Sequence, residues 1–251
     1  MAVQTEHFKG TDLAGDRWVP WYLPHWSSRE ESRATYDVAS SVLRLRIPTT
    51  QGLWCAERHH PVLRTSSVAS GLYAGPLGST VGQQPFADGL TVSEEQEPFR
   101  GWLVEGGRLT VRARADLTAR SMVSVWLTGF EDEPDRCGEV CVFEVFGDTV
   151  TPSSAGVGAG VHAFRDPSLR EDFSVTPVEL DLREWHDFTV TMSADGCTWS
   201  VNGQPLRTGD QCPSYPLQIF VGVFDFPDRE DGTTRDHEPT FEVDSIVHEV
   251  G

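Results

Sequence analysis

The stretch CGEVCVFEVFGD, residues 137–148, combines two patterns that a strand does not ordinarily combine. Val140, Val142, Phe143, Val145 and Phe146 read as a strand buried on both faces, yet Glu139 and Glu144 stand within it. A carboxylate is costly to bury unless something satisfies it. Side chains five apart on a regular strand point to opposite faces, because the period is two. A β-bulge that inserts one extra residue brings them to the same face, and Cys141-Val142-Phe143 has room for one. The pair then meets in a cleft. Two carboxyls about 5–5.5 Å apart are the equipment of a retaining glycosidase, in which one attacks the sugar and the other protonates the leaving group and then activates water.

Outward from this stretch, period-2 runs recur and helical periodicity is almost absent. In LRLRI (43–47), Leu43, Leu45 and Ile47 share one face and Arg44 and Arg46 the other. LTVRARA (109–115) and HDFTVTM (186–192) alternate likewise, as half-buried antiparallel strands do. SMVSVWL (121–127) and LQIFVGVFDF (217–226) read as strands buried on both sides. Asn202-Gly203 between two short runs is a two-residue hairpin signal. Many strands and almost no helix predict an all-β sandwich of two packed antiparallel sheets. No Pro- or Ser-rich linker divides the chain, so residues 1–251 read as one domain. Long irregular stretches at 11–37, 50–100, 165–173 and 228–239 are candidates for functional loops.

Composition narrows the partners. Lys and Arg total 20 against 38 Asp and Glu, a formal net charge of −18. Such a chain repels phosphate backbones and anionic lipids, so nucleic acid and membranes are not expected partners, while neutral ligands are compatible. The acidity also serves solubility. MAVQTEHFKG has neither the basic nor the apolar region of a signal peptide. No stretch approaches the length of an apolar membrane helix. The five cysteines are an odd count at no zinc-like spacing. A cytoplasmic setting with free thiols is the expectation, or a secreted one if a leader has been removed. Cys137 and Cys141 read as small buried side chains rather than a redox pair.

The run GEVCVFEVFG resembles the signature of glycoside hydrolase family 16, of the concanavalin A-like superfamily, in which a strand carries E-x-D-x-x-E; here the motif is E-x-C-x-x-E. The resemblance extends over nearly the whole chain. FKGTDLAGDRW is similar to the family's opening segment, VSVWLTGFEDEP to its tryptophan-bearing strand, and GVHAF to the strand with a histidine that follows the motif. EWHDFTVTMSADGCTWSVNG is similar to its W-H-x-Y strand and hairpin, with Met192 where tryptophan is common, and FEVDSIVHEV to its last strand. The resemblance implies a jelly roll with a sugar-binding cleft across the concave sheet. It implies Glu139 as nucleophile, Glu144 as general acid/base, Trp126 in the cleft floor and His162 near the acid/base glutamate. No cofactor is implied, but a structural calcium held partly by Asp244 is. The departure is Cys141, where the family has an aspartate that helps tune the nucleophile. A thiol is a weaker hydrogen-bond partner with a higher reference pKa. Two residues from Glu139, it shares that face of the strand and points into the same cleft.

Each feature also has a plainer reading. The two glutamates fit solvated positions beside a bulge at a sheet edge. The N-terminal aromatics Trp18, Trp21, Tyr22 and Trp26 fit either sugar-stacking walls or cover for the sandwich edge. Trp18 is the best core candidate, and Trp21 and Trp26 the better ligand candidates. Trp54 and Trp102, in loops, divide the same way, with Trp54 taken as substrate-binding. Adjacent His59 and His60 point apart, which argues against a metal site. The acidic loop around Asp228, Glu230, Asp231 and Asp236 lacks the spacing of a calcium loop. Arg165 and Arg170 fit either the cleft rim or local ion pairs. The expected activity is that of a retaining glycoside hydrolase or transglycosylase on a β-linked glycan or glycoside. Two alternatives stand beside it: a carbohydrate-binding protein that does not hydrolyse, and a biosynthetic enzyme that reuses the glutamates as acid and base.

Overall fold

The computed structural model describes residues 2–229 and 237–251. Its strands, in chain order, begin with β1 (Val3–Glu6), β2 (Thr35–Ala39), β3 (Val42–Arg46), β4 (Arg64–Ala69), β5 (Gly71–Leu72) and β6 (Phe99–Arg100). Next come β7 (Leu103–Val104), β8 (Gly107–Asp116), β9 (Ser121–Gly129), β10 (Glu139–Phe146), β11 (Ala155–His162) and β12 (Asp172–Val178). The series ends with β13 (His186–Ser193), β14 (Gly196–Val201), β15 (Gln204–Gly209), β16 (Leu217–Asp225) and β17 (Thr240–Glu249). The outer sheet runs β15-β14-β13-β8-β17-β3-β2, with β1 on β17; the concave sheet runs β12-β11-β10-β9-β16-β4, with β7 on β16. All pairings within both sheets are antiparallel, giving the two-sheet sandwich that the alternation predicts, in the jelly-roll form that the resemblance implies. Asn202 and Gly203 turn β14 into β15 with φ of 51° and 74°, as the tight hairpin requires. Among the described residues, no helix is long and apolar enough to cross a membrane.

The predicted bulge is present. Cys141 pairs with Trp126 and Phe143 with Val125 of β9, so Val142 is the extra residue, and the register against β11 shifts over the same interval. Val140, Val142, Phe143 and Val145 therefore all face the outer sheet and join the sandwich core. Phe143 stacks on Phe188 of β13 with centroids 3.9 Å apart. The Trp199 indole N–H, from β14 in the opposite sheet, donates to the Cys141 carbonyl at 2.9 Å, at the point where the ladder loses register. A buried carbonyl without a partner would be costly; the indole satisfies this one across the core.

Residues left on the concave face need a second cover. Met122, Trp126, Phe220 and Phe224 form an apolar layer with Val19, Leu23, Trp26, Trp54 and Leu63 from the two long irregular stretches. Those stretches are thus ordered by burial against the sheet. Residues 230–236 of the acidic loop lie outside the described residues.

Replacing Trp199 by Phe removes the donor to Cys141 and leaves a void in the core. The variant should be destabilised by about 2–4 kcal/mol. Denaturant unfolding at unchanged m-value measures this; a loss below about 0.5 kcal/mol would show that the cross-sheet bond does not hold the bulge.

Candidate functional site

Parity along β9, β10 and β16 decides what the concave face offers. Ser124 and Trp126 of β9, Glu139 and Glu144 of β10, and Phe224 of β16 line one cleft of about 320 Å³. Its walls come from Tyr22, from His59 and Leu63, from Gln84–Phe86, and from Phe164 and Arg165. Three of these wall and rim residues, Gln84, Glu131 and Phe164, hold left-handed backbone with φ of 45°, 60° and 47°. Non-glycine residues adopt that conformation at a cost, and such strain gathers at functional sites.

Three carboxyls enter the cleft, not two. Glu139 accepts a hydrogen bond from Gln84 Nε2 at 3.1 Å. Glu131, 3% exposed, accepts the Gln84 backbone N–H at 2.8 Å through Oε1 and pairs with the Arg165 guanidinium through Oε2. Gln84 thus bridges Glu131 and Glu139. Burial, reinforced by the charges of Glu144, Glu171 and Glu131, pushes the Glu139 carboxyl up to about 8. Burial raises Glu144 to about 7. It raises Glu131 to about 7 as well, against the opposing pull of the Gln84 N–H and Arg165. The Tyr22 phenol is driven upward by burial and by the charge of Glu139. The cleft therefore holds protons on carboxyls near neutral pH, the condition general acid catalysis requires.

Cys141 keeps the parity of Glu139. Its thiol contacts the Ser124 hydroxyl and feels the charges of Glu144 and Glu139, which together with burial raise its pKa far above the ordinary thiol value. At 1% exposure it lies beneath the cleft surface and does not line the cavity, contrary to the expectation that it points into open cleft. Trp126 is its neighbour across the ladder on β9.

The other expected residues divide. Trp126 lies in the floor, but it is 4% exposed, because Phe220 stacks on its ring at 4.9 Å and 7° and Tyr22 meets it edge-on. Trp26 does not reach ligand space: it is fully buried and its indole donates to the Gln83 carbonyl at 2.7 Å. Trp54 is also core, 1% exposed, held by a bond from its indole to the Tyr22 carbonyl and packed on Tyr22, His59 and Phe86. Both tryptophans shape the cleft from behind, because the loop layer needs its own apolar centre. Trp21 is half-buried under Arg29 and outside the cleft lining. His162 stands across from Glu139 rather than beside Glu144, whose partner on β11 is Gly158. Its ring stacks on Phe173 and its Nδ1 meets Glu171 at 2.6 Å, so it lies at the rim and not in the lining.

Asp244 sits at a register shift of β17 in the outer sheet, where it accepts the Ser245 hydroxyl. Among the described residues, no group of three or more His, Cys, Asp or Glu side chains converges as a metal site. A calcium ion held by Asp244 would therefore draw most of its six to eight oxygens from backbone carbonyls and water.

Gln84, Glu131, Phe86 and Phe164 carried no signal in the sequence. Gln84 stands beside Gln83, and Glu131 opens a run of Glu-Asp-Glu in which nothing marks one acid from the next.

The sequence matches no protein-family model and no curated protein. Solved structures share the fold. An endo-β-galactosidase from Clostridium perfringens that releases GlcNAcα1-4Gal matches with a TM-score of 0.80 at 17% identity, over 98% of this chain and 61% of that one. The chain thus spans about three-fifths of the length of that enzyme structure. A non-specific endo-β-1,3(4)-glucanase from family GH16 matches with a TM-score of 0.67 at 11% identity, over 100% and 94% of the two chains. A laminarinase from Flavobacterium sp. UMI-01 matches with a TM-score of 0.66 at 14% identity, over 98% and 99%. At these identities the likeness establishes the jelly-roll fold.

The raised carboxyls make stability pH-dependent. A carboxyl with a raised folded pKa favours folding in its protonated form. Its contribution is complete below the ordinary value of 4.5 and is lost as pH rises through about 7 to 8. Glu139→Gln, which carries no charge at any pH, should match wild type closely at pH 5. At pH 8.5 it should be more stable by about 2 kcal/mol, roughly 4–8 °C in Tm. A difference in Tm that stays constant from pH 5 to 8.5 would mean that Glu139 is not buried at the cost of its charge.

Proposed function

We propose that the protein is a retaining glycoside hydrolase or transglycosylase acting on a β-linked sugar, with Glu139 as nucleophile and Glu144 as general acid/base. The observation that carries this reading is that one bulged strand delivers both carboxyls to a single cleft on the concave sheet. The glycosidases that share the fold support it. In the first step the Glu139 carboxylate bonds to the anomeric carbon while the bond to the leaving oxygen breaks, and Glu144 gives that oxygen its proton. In the second, Glu144 takes a proton from water, whose oxygen bonds to the anomeric carbon and releases Glu139; a sugar hydroxyl in place of water gives transglycosylation.

The two glutamates titrate as a pair, and the first step uses the form with its one proton on Glu144, the reverse of the order in which burial raises the two carboxyls. Gln84 Nε2 is placed to stabilise the charge that returns to Glu139 as it leaves the anomeric carbon in the second step. Glu131 holds the Gln84 backbone N–H and is itself held by Arg165. This polar clamp gives Glu139 a hydrogen-bond donor, whereas the neutral thiol of the buried Cys141 supplies no ionic partner.

A second reading, sugar binding without hydrolysis, is favoured by that thiol at position 141. Activity decides between them. Glu139→Gln and Glu144→Gln should each lower kcat by at least about a thousandfold while the fold is retained. Wild-type kcat/KM should be bell-shaped, rising through about pH 7 and falling through about pH 8, where the pair loses its last proton. A glutamine variant with wild-type turnover on a verified β-glycoside would remove the catalytic roles. Tight sugar binding by wild type with no turnover at any pH would establish the second reading.

A further inference from the structure

The cleft is chemically two-ended, and the strand register fixes which end is which. Glu139 is level with Thr128 of β9, Glu144 with Ser124, and Phe146 with Met122; on β16, Phe224 is level with Met122. At the Glu139 end stand Gln84, Glu131 and Arg165, joined by hydrogen bonds. A further hollow opens past Phe164 and Arg165, with Thr80 and Asp88 in its wall. Beyond Glu144 the lining changes character. Met122, Phe224, Phe226 and Leu63 make it mostly apolar, with the Tyr22 ring edge-on to Phe224 and the His59 ring against Phe86 as its polar-bearing neighbours. Two residues of strand separate Ser124 from Met122, so this apolar end begins about 7 Å past the acid/base glutamate.

A glycan chain offers several hydroxyls on every sugar unit, and each hydroxyl left without a partner in an apolar wall loses binding. The Met122–Phe224–Phe226 end cannot satisfy them. Nor do the tryptophans of the cleft offer a broad stacking face, since Trp126 is buried with Phe220 stacked on it and Tyr22 edge-on, while Trp26 and Trp54 are buried. The volume, about 320 Å³, sits at the small end of sites that hold one compact molecule. Phe164 adds an exposed aromatic ring, 59% accessible and in left-handed backbone, at the mouth.

Resting on the glycosidase reading above, we propose that the leaving group is an apolar, ring-bearing alcohol seated against Met122, Phe224 and Phe226: the substrate is a small β-glycoside of an aromatic or alicyclic aglycone, not a glycan chain. The sugar occupies the Glu139–Gln84–Arg165 end. When Glu144 gives its proton to the glycosidic oxygen, the departing alcohol is already in the apolar end, and water enters the vacated space for the second step.

The test compares 2-phenylethyl and ethyl β-glycosides of glucose, galactose and N-acetylglucosamine. Their leaving alcohols have similar acidity, so a difference reports the aglycone contact and not leaving-group chemistry. Binding to Glu139→Gln by calorimetry and kcat/KM of wild type are both measured, beside laminari-oligosaccharides. We expect the phenylethyl compound of the preferred sugar to bind at least about tenfold tighter and to react with at least about tenfold higher kcat/KM. Met122→Gln, of similar volume, should reduce that ratio at least about threefold. Tighter phenylethyl binding without turnover supports the apolar seat and defeats the glycosidase reading. Equal binding of the two compounds, no binding of either, an unchanged ratio in Met122→Gln, or preference for the oligosaccharides overturns the inference, whether or not hydrolysis occurs.

Discussion

Everything functional in this fold hangs on one extra residue, Val142. Were the strand to run through Val142 in regular register, with no bulge, Glu144 would point into the sandwich core and Phe143 into the cleft. With it, two consecutive side chains, Val142 and Phe143, enter the core, and carboxyls on either side of them reach the same surface. A bulge breaks ladder pairing and must be held by something else. Here the holding comes from the opposite sheet: the Trp199 indole on the Cys141 carbonyl and the Phe188 ring against Phe143. The cleft is thus specified through the core, from the β13–β14 hairpin downstream in the chain.

The second constraint is electrostatic. A chain of net charge −18 places three carboxyls in one small cleft, with Arg165 paired to Glu131 at its rim. Burial and mutual repulsion favour their protonated forms, so proton-donating capacity at neutral pH follows from the crowding itself. Gln84 offsets part of this with one amide on each of two carboxyls. A carboxyl at position 141 would add a fourth acid to the crowd; a buried thiol avoids that charge and fills the space beneath Ser124.

Most of the fold was legible in the sequence because its rules are local. Alternation marked Leu43, Leu45 and Ile47 as core, and Asn202-Gly203 marked the hairpin. The bulge was legible because two carboxylates inside an apolar strand allow few arrangements. The walls of the cleft were not. Trp21, Trp26 and Trp54 looked available because they lie in irregular chain, but a loop layer over a sheet needs an apolar centre, and the largest side chains take it. Gln84 and Glu131 act through contacts across 47 and 55 residues of chain, which no local pattern encodes. His162 was placed by strand order, yet antiparallel pairing sets the end of β11 beside the start of β10, so that it stands opposite Glu139 and not Glu144.

The central claim is that Glu139 forms a bond to an anomeric carbon. Wild-type protein incubated with a 2-deoxy-2-fluoro-β-glycoside carrying an activated aryl leaving group, then digested and analysed by mass spectrometry, tests it directly. The account predicts a single fluoroglycosyl adduct on Glu139, formed in wild type and absent in Glu139→Gln. An adduct on Cys141, Glu131 or Glu144 instead, or persistent labelling in Glu139→Gln, would contradict it.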